Sequence, residues 1–332
     1  MASSFESTLA SPPANIRARQ YGGYRGNMFM LRIGQICLPA GYLLVAFAAF
    51  WFWLFKPKIR QASDDFLNRV YGPRPWFVRW RQSYRHLLTF GILLLDRSVE
   101  LAQTKNNFQV QVPGLQQMRD SLKSDRGVVI LTGHFGSPEL AVPHIKDLDE
   151  ARPFNFVIYR DITDKTERFH FDQWNAVKSI HVISSIDALS AGVQMMAALH
   201  RNESVGMRAD RAMSGRTVAV SLLGRRVGMP AGPFTAAVLS RAMVVTAFNL
   251  RVGYRRYHMY TSEPRYYEFS DPCSKQAAIE QAAHDYAAEL EKLLRRYPYQ
   301  WGNFYNFWDD QAAQETSNLI TDAVSSATKM TA

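Results

Sequence analysis

The stretch Val128 to Ala141, VVILTGHFGSPELA, places a histidine and a carboxylate, His134 and Glu139, in the spacing H-x-x-x-x-E behind a run of apolar residues. A neutral imidazole backed by a carboxylate is the kind of general base that strips a proton from a hydroxyl, the carboxylate fixing the tautomer and stabilising the imidazolium that forms. Gly133 and Gly136 flank the histidine's loop and let the backbone fold tightly around it. Ser137 suits a helix N-cap, Pro138 the first helical position, and Glu139 the first turn, where the helix dipole favours a carboxylate. This arrangement puts the imidazole on the loop just before a helix and the carboxylate on the helix's first turn, within hydrogen-bond reach. The backbone N–H groups at that helix start, with Gly136 and Ser137 as the substrate-binding positions, are candidates for holding the oxyanion of an acyl substrate.

A plainer reading stands beside this one, because Ser-Pro-Glu is an ordinary helix opening and a lone histidine at a strand end is commonly a loop residue. Other chemistries fit less well. The stretch is not G-x-S-x-G, and Ser137 already has a capping role, which weighs against a serine nucleophile. His134, His144 and His170 lack paired metal-ligand spacing and there is no H-E-x-x-H, so a metal site is not expected. Glycine-rich phosphate loops are absent as well.

The elements that must hold such a pair are visible in the alternation of the chain. Short apolar runs, VVILT at 128, FNFVIY at 154, HVISS at 181 and SVGMRAD at 204, are separated by helix-sized segments such as IDALSAGVQMMAALHR, where Leu189, Val193, Met196 and Leu199 keep helical spacing. Alternating strands and helices imply an α/β fold with a mixed, largely parallel sheet flanked by helices. The runs from 217 onward, TVAVSLLG, MVVTAFNL and YHMYTSE, sit close together and suit antiparallel pairing. In a parallel sheet ligands bind beyond the carboxyl ends of the strands, and His134 follows VVILT at such an end.

Upstream, Ile33 to Phe55 carries no charge and ends in Trp51 and Trp53 followed by Lys56, Lys58 and Arg60. That is long enough to cross a hydrocarbon core of roughly 30 Å and carries an aromatic and basic girdle, although Pro39 and Gly41 leave room for a bent helix in the interface. The expected organisation is a polar segment over 1–28, a transmembrane or interfacial anchor over 29–60, a domain over 61–311 and a mobile tail over 312–332. A net charge of +10 points to an anionic partner, and 13% aromatics with seven Trp favour lipid. No nucleic-acid motif or base-stacking module is present. Cys37 and Cys273 lie far apart and suggest no disulfide framework.

With an anchor, a basic body and H-x-x-x-x-E at a strand end, the chain resembles the lysophospholipid acyltransferase superfamily. GHFGSPE is similar to the HFGNWE form of its lipid A late acyltransferase branch. The likeness continues through VIYRD at 157–161, VGMRADR at 205–211, LLGRRVGMPAGPFTAAVLSRAMVV and PYQWGNFYNFW at Pro298 to Trp308. That ending is closest to the PYQWFNFYDFW of predicted acyltransferases from glycolipid and aryl-polyene type biosynthetic clusters. Ser-Pro in place of Asn-Trp or Asn-Leu, and Gly302 in place of a bulky residue, depart from the pattern and bear on the acceptor.

The resemblance implies a glycerolipid acyltransferase-like fold and an enzyme of the bacterial inner membrane, with its catalytic domain on the cytoplasmic face. Its donor would be a thioester of acyl carrier protein or coenzyme A, its acceptor a lipid or glycolipid hydroxyl, and no cofactor is needed. It implies His134 as base and Glu139 as its partner, Asp210 as an auxiliary carboxylate, and Arg160 and Arg211 as binders of phosphate or oxyanion. Trp301, Phe304, Tyr305 and Trp308 are expected to pack the end of the domain. A hydrolase on the same fold and a non-enzymatic membrane-binding protein are the alternatives.

Overall fold

The computed structural model describes residues 24–101, 108–113, 126–141, 152–158, 180–212 and 215–308. The 312–332 tail, nearly all of the polar 1–28 segment and Arg160 lie outside the described residues. Four helices come first: α1 (Tyr24–Ile36), α2 (Leu38–Phe55), α3 (Pro57–Tyr71) and α4 (Trp76–Leu101). The strands β1 (Gln109–Gln111), β2 (Val128–Thr132), β3 (Phe154–Ile158) and β4 (Ile180–Ser184) follow, then α5 (Ala188–His200) and β5 (Ser204–Arg208). A hairpin of β6 (Thr217–Leu222) and β7 (Arg225–Pro230) leads into α6 (Ala231–Leu239). The strands β8 (Met243–Gly253) and β9 (Arg256–Thr261), the long helix α7 (Pro272–Arg296) and a single 3-10 turn (Pro298–Gln300) complete the order.

The uncharged run from Ile33 to Phe55 is not one helix. It breaks at Cys37, whose φ of −145° and ψ of 96° are extended, and α2 restarts with a proline in its first turn. Pro39 has no N–H for the ladder and disfavours the helical conformation in the residue before it, which makes it a helix starter rather than an interior residue. At this crossing a Cβ on Gly41 would come 3.0 Å from the Gly34 Cα, so the two helices meet where neither has a side chain. The helical region after α2 likewise divides, with α3 stopped at Gly72, whose φ is +79°.

Seven strands form one sheet in the order β1-β9-β8-β2-β5-β3-β4. Pairing is parallel except between β8 and β9, and β6 and β7 form a separate antiparallel ribbon. The mixed, mostly parallel sheet is the one the alternation implied. All but one of the residues of β2 are buried, as a central parallel strand covered on both faces requires. Its residues alternate between two cores. Val129 and Leu131 join Val205, Met207, Phe248, Tyr286 and Trp301 on one face, while Val128 joins Met243, Val245 and Met259 on the other. The spacing in α5 is helical, but Leu189 and Val193 are exposed and the burial falls on Ala191, Ala198 and Leu199. Asp187 caps that helix, and Asp271 with Ser274 forms a capping box at the start of α7.

The helical pair is tied to the sheet by one fully buried carboxylate. Asp96 of α4 accepts hydrogen bonds from the Tyr42 hydroxyl at 2.6 Å, the Tyr257 hydroxyl at 2.6 Å and Arg251 Nε at 3.1 Å. Truncating one partner of such a cluster leaves a guanidinium buried without its counter-charge. Asp96→Ala is therefore expected to destabilise the protein by about 3–5 kcal/mol, read as a lowered midpoint in chemical denaturation.

Candidate active site

The strands β2 and β5 are parallel neighbours in register, with Thr132 opposite Arg208. Two residues beyond each of these lie His134 and Asp210, so the sheet delivers both to the same level at its carboxyl edge. The ladder continues past the strand ends, with the Ala209 N–H donating to the Thr132 carbonyl at 2.9 Å. Asp210 Oδ1 lies 2.8 Å from His134 Nδ1, and Asp210 Oδ2 accepts from the His134 backbone N–H at 3.0 Å and from Trp301 Nε1 at 3.2 Å. An ionised carboxylate only accepts, so Nδ1 carries the proton and Nε2 presents a lone pair. Nε2 bonds no described residue, and the His134 side chain is 28% exposed while that of Asp210 is 0% exposed. One ring nitrogen is thus oriented, and the other is without a partner among the described residues.

The Glu139 carboxylate is elsewhere. Arg97 Nη1 approaches its Oε1 at 3.2 Å and Arg208 Nη2 makes a second, shorter contact to the same oxygen. The carboxylate that touches the imidazole is thus Asp210, supplied by the neighbouring strand, and not the one five residues along the chain. Residues 138–141 are in 3-10 conformation, and the buried Ser137 hydroxyl has no partner among the described residues. The Gly136 N–H donates to the Gln300 carbonyl at 3.0 Å and the Ser137 N–H to the Asn249 carbonyl at 2.8 Å. Both groups proposed for an oxyanion are therefore engaged inside the fold. Gly136 is required where it stands, with φ +70° and a Cβ position only 2.2 Å from the Asn249 oxygen.

The C-terminal segment forms the other wall. Phe135 and Trp301 pair as an isolated antiparallel bridge, and the Gly302 N–H donates to the His134 carbonyl at 2.6 Å. Trp301 is fully buried and packs the domain, as expected, but its indole N–H also reaches the site carboxylate. Behind it, His86 of α4 donates from Nε2 to the Trp301 carbonyl at 2.8 Å and accepts at Nδ1 from Ser63 at 2.9 Å. Arg211 turns toward this wall, bonding Asn303 and lying 5.0 Å from the Tyr305 ring centroid. The Tyr286 hydroxyl donates to the Thr132 carbonyl at 2.8 Å and stands 2.9 Å from where a Gly133 Cβ would be. Arg97, Arg208, Trp301 and Tyr286 were not singled out as site residues by spacing. Only the strand-end position of Arg208, two before Asp210, carried a signal.

The electrostatics follow from burial and from this excess of guanidinium. Burial lowers the His134 pKa to about 4, Arg211 and Arg208 adding to the effect and Asp210 opposing it. Burial would raise Asp210, but His134 and Arg211 outweigh it and hold it below its ordinary value. Burial would likewise raise Glu139, but Arg97 and Arg208 bring it down to about 2. At neutral pH the site holds two carboxylates and an uncharged imidazole.

A mixed, mostly parallel sheet with an oriented histidine at the carboxyl edge of its central strand defines an α/β protein with a candidate acid–base site there. The family model for bacterial lipid A biosynthesis acyltransferases matches residues 17–309, and the chain belongs to that family. Membership implies an acyltransferase acting with an acyl donor on a lipid acceptor. No curated protein matches the chain.

Because the folded imidazole titrates below the unfolded chain's value of about 6.5, the folded state binds fewer protons. The stability this group contributes is present above about pH 6.5 and is lost as pH falls toward 4. In ¹³C-histidine NMR spectra assigned with His134→Ala, the His134 resonance is expected to stay at its neutral position down to about pH 5. A midpoint near the ordinary value would contradict the buried geometry.

Proposed function

We propose that the protein is a membrane-associated O-acyltransferase that moves an acyl chain from a thioester to a hydroxyl of a lipid or glycolipid, with His134 as general base. The observation that carries this reading is the contact at His134: Nδ1 is held by a buried carboxylate at 2.8 Å, which leaves Nε2 without a bonding partner among the described residues. The acceptor hydroxyl gives its proton to Nε2 as its oxygen bonds to the thioester carbonyl carbon. The C–S bond of the resulting tetrahedral adduct then breaks, and the imidazolium returns the proton to the sulfur. The products are an ester and a free thiol, with no cofactor consumed.

Asp210 is the group that orients the ring and stabilises the imidazolium. Glu139 acts at one remove, within electrostatic reach of His134 and fixing Arg208 and Arg97 beside it. The buried Nε atoms of Arg97, Arg208 and Arg211 have no partner among the described residues. Unpaired buried guanidinium donors favour an anionic substrate, and Arg211 is the phosphate or oxyanion binder we assign from them. Arg160 is retained in that role on resemblance alone. The net charge of +10 suits both an acidic carrier protein and anionic lipids. A glycolipid acceptor and work at the cytoplasmic face of the inner membrane rest on the likeness in the PYQWGNFYNFW segment and on the apolar N-terminal helices.

Purified protein given a radiolabelled acyl-thioester, on acyl carrier protein in one arm and coenzyme A in the other, with an extracted lipid acceptor pool, tests the reading by mass spectrometry of the products. His134→Ala is expected to lower acyl transfer by about 10²–10⁴-fold and Asp210→Asn by about 10³–10⁴-fold, through the wrong tautomer. Glu139→Gln is expected to act chiefly by loosening the arginines and to raise KM more than it lowers kcat. Free fatty acid released without transfer would favour hydrolysis, and a fully active His134→Ala would sink the mechanism.

A further inference from the structure

The helix α2 is apolar along its whole length, yet its two faces have different neighbours. Leu38, Gly41, Val45, Ala49 and Trp53 are buried and recur at three- and four-residue spacing, which is one helix face. That face is fastened to α4 from end to end. Trp53 Nε1 donates to the Ser83 hydroxyl at 2.9 Å, the Tyr84 hydroxyl donates to the Ala46 carbonyl at 3.2 Å, and Tyr42 donates to Asp96 at 2.6 Å. At Gly91 a Cβ would meet Val45 at 2.7 Å, so the helices approach to the limit there. The opposite face is open, with Leu43, Phe47, Phe50, Trp51 and Leu54 between 44% and 74% exposed. Trp76, Phe77 and Trp80 of α4 are 48% to 66% exposed beside them. Phe47, Phe50, Trp53, Trp80 and Tyr84 line an apolar groove of about 510 Å³ between the helices, with Arg81 at its lining.

With 18 residues α2 is about 27 Å long, nearly enough to cross a bilayer core. It cannot cross and keep these contacts. A perpendicular α2 would carry α4 into the hydrocarbon, and with it His86, Asp96 and Arg97, which are bonded to Trp301, to Arg251 and Tyr257, and to Glu139. Charged groups at that depth cost several kcal/mol each, and the sheet itself would follow. The packing is compatible with a membrane only if α2 lies along its surface.

We propose that the open face of α2 and the first turns of α4 form a monotopic lipid-binding face, embedded in one leaflet of an anionic bilayer. The occupant is identified by charge and by ring chemistry. Lys56 and Lys58, just beyond α2, and Arg81 of α4 are exposed, and the Arg60 guanidinium lies 5.7 Å from the Trp53 ring and 5.9 Å from the Trp80 ring. Exposed Trp and Phe bordered by Lys and Arg is the composition of a helix held at the level of anionic headgroups. Farther along α4, Phe90 packs at Gly302, whose N–H holds the His134 carbonyl. A lipid in that leaflet therefore lies along the same helix that borders His134. This last step rests on the acyltransferase reading; the embedding does not.

Two single-cysteine forms of the full chain test it, Arg32→Cys and Lys56→Cys in a background with Cys37→Ser and Cys273→Ser. They place one thiol in α1, six residues before α2 begins, and one at the residue that follows α2, both at exposed, polar positions. In sealed membrane vesicles of one orientation, a membrane-impermeant maleimide is expected to label both from the same side. Labelling from opposite sides, or protection of either thiol from both sides, overturns the proposal. In flotation with phosphatidylethanolamine vesicles containing phosphatidylglycerol, Phe47→Glu with Trp51→Glu is expected to lose at least tenfold in bound protein while keeping the wild-type thermal midpoint in detergent. Unchanged flotation overturns it as well. Neither readout needs turnover, so an inactive protein labelled from one side would defeat the acyltransferase reading and leave the embedding standing.

Discussion

Asp210 is a carboxylate with no solvent contact, and the site is arranged around supplying it with donors. Removing such a charge from water is costly unless several hydrogen bonds replace the lost hydration. Its three donors come from the end of β2, through the ring and backbone of His134, and from the C-terminal segment, through Trp301. One buried charge thus fixes three chain segments to one another and decides the tautomer of the histidine. The imidazole is oriented because the carboxylate has to be satisfied.

That dependence explains which parts of the site were legible in the sequence. His134 stood out because a histidine after an apolar strand and between glycines is a local pattern. Most strands were readable for the same reason, since their apolar runs are local, and so was the antiparallel pairing of β8 with β9, whereas β6 pairs with β7, a strand outside those runs. The identity of the partner carboxylate is set by the register of β2 against β5, which brings together residues 76 positions apart. Nothing in the H-x-x-x-x-E spacing encodes that register, so the nearer carboxylate, Glu139, was the natural choice. The N–H groups of Gly136 and Ser137 illustrate the same limit. Their bonds go to Gln300 and Asn249, carbonyls that only the folded chain brings near.

Glu139 still has a physical place in the arrangement. Arg97 and Arg208 converge on one of its oxygens, and Arg211 is drawn aside by Asn303 and the Tyr305 ring. The Arg208 and Arg211 guanidiniums disfavour protonation of the imidazole, and Arg97 with Arg208 holds Glu139 ionised. The two carboxylates divide the labour accordingly, Asp210 acting on the ring and Glu139 on the cations beside it. Local spacing drew attention to His134 and Glu139, but the two side chains do not meet, because arginines from α4 and β5 hold the Glu139 carboxylate.

The break at Cys37 and the packing of α2 carry the same lesson at larger scale. Hydropathy alone reads Ile33 to Phe55 as a span, since a span and a helix with one open apolar face have the same composition. What distinguishes them is the partner on the other face, and here the partner is α4. Along a single helix, α4 meets Trp53 through Ser83, the Trp301 carbonyl through His86, the sheet through Asp96 and Glu139 through Arg97. A rigid helix cannot shift at one of these contacts without loading the others. The seating of the apolar face and the placement of the charged groups around His134 are therefore mechanically one problem, solved by the same twenty-six residues.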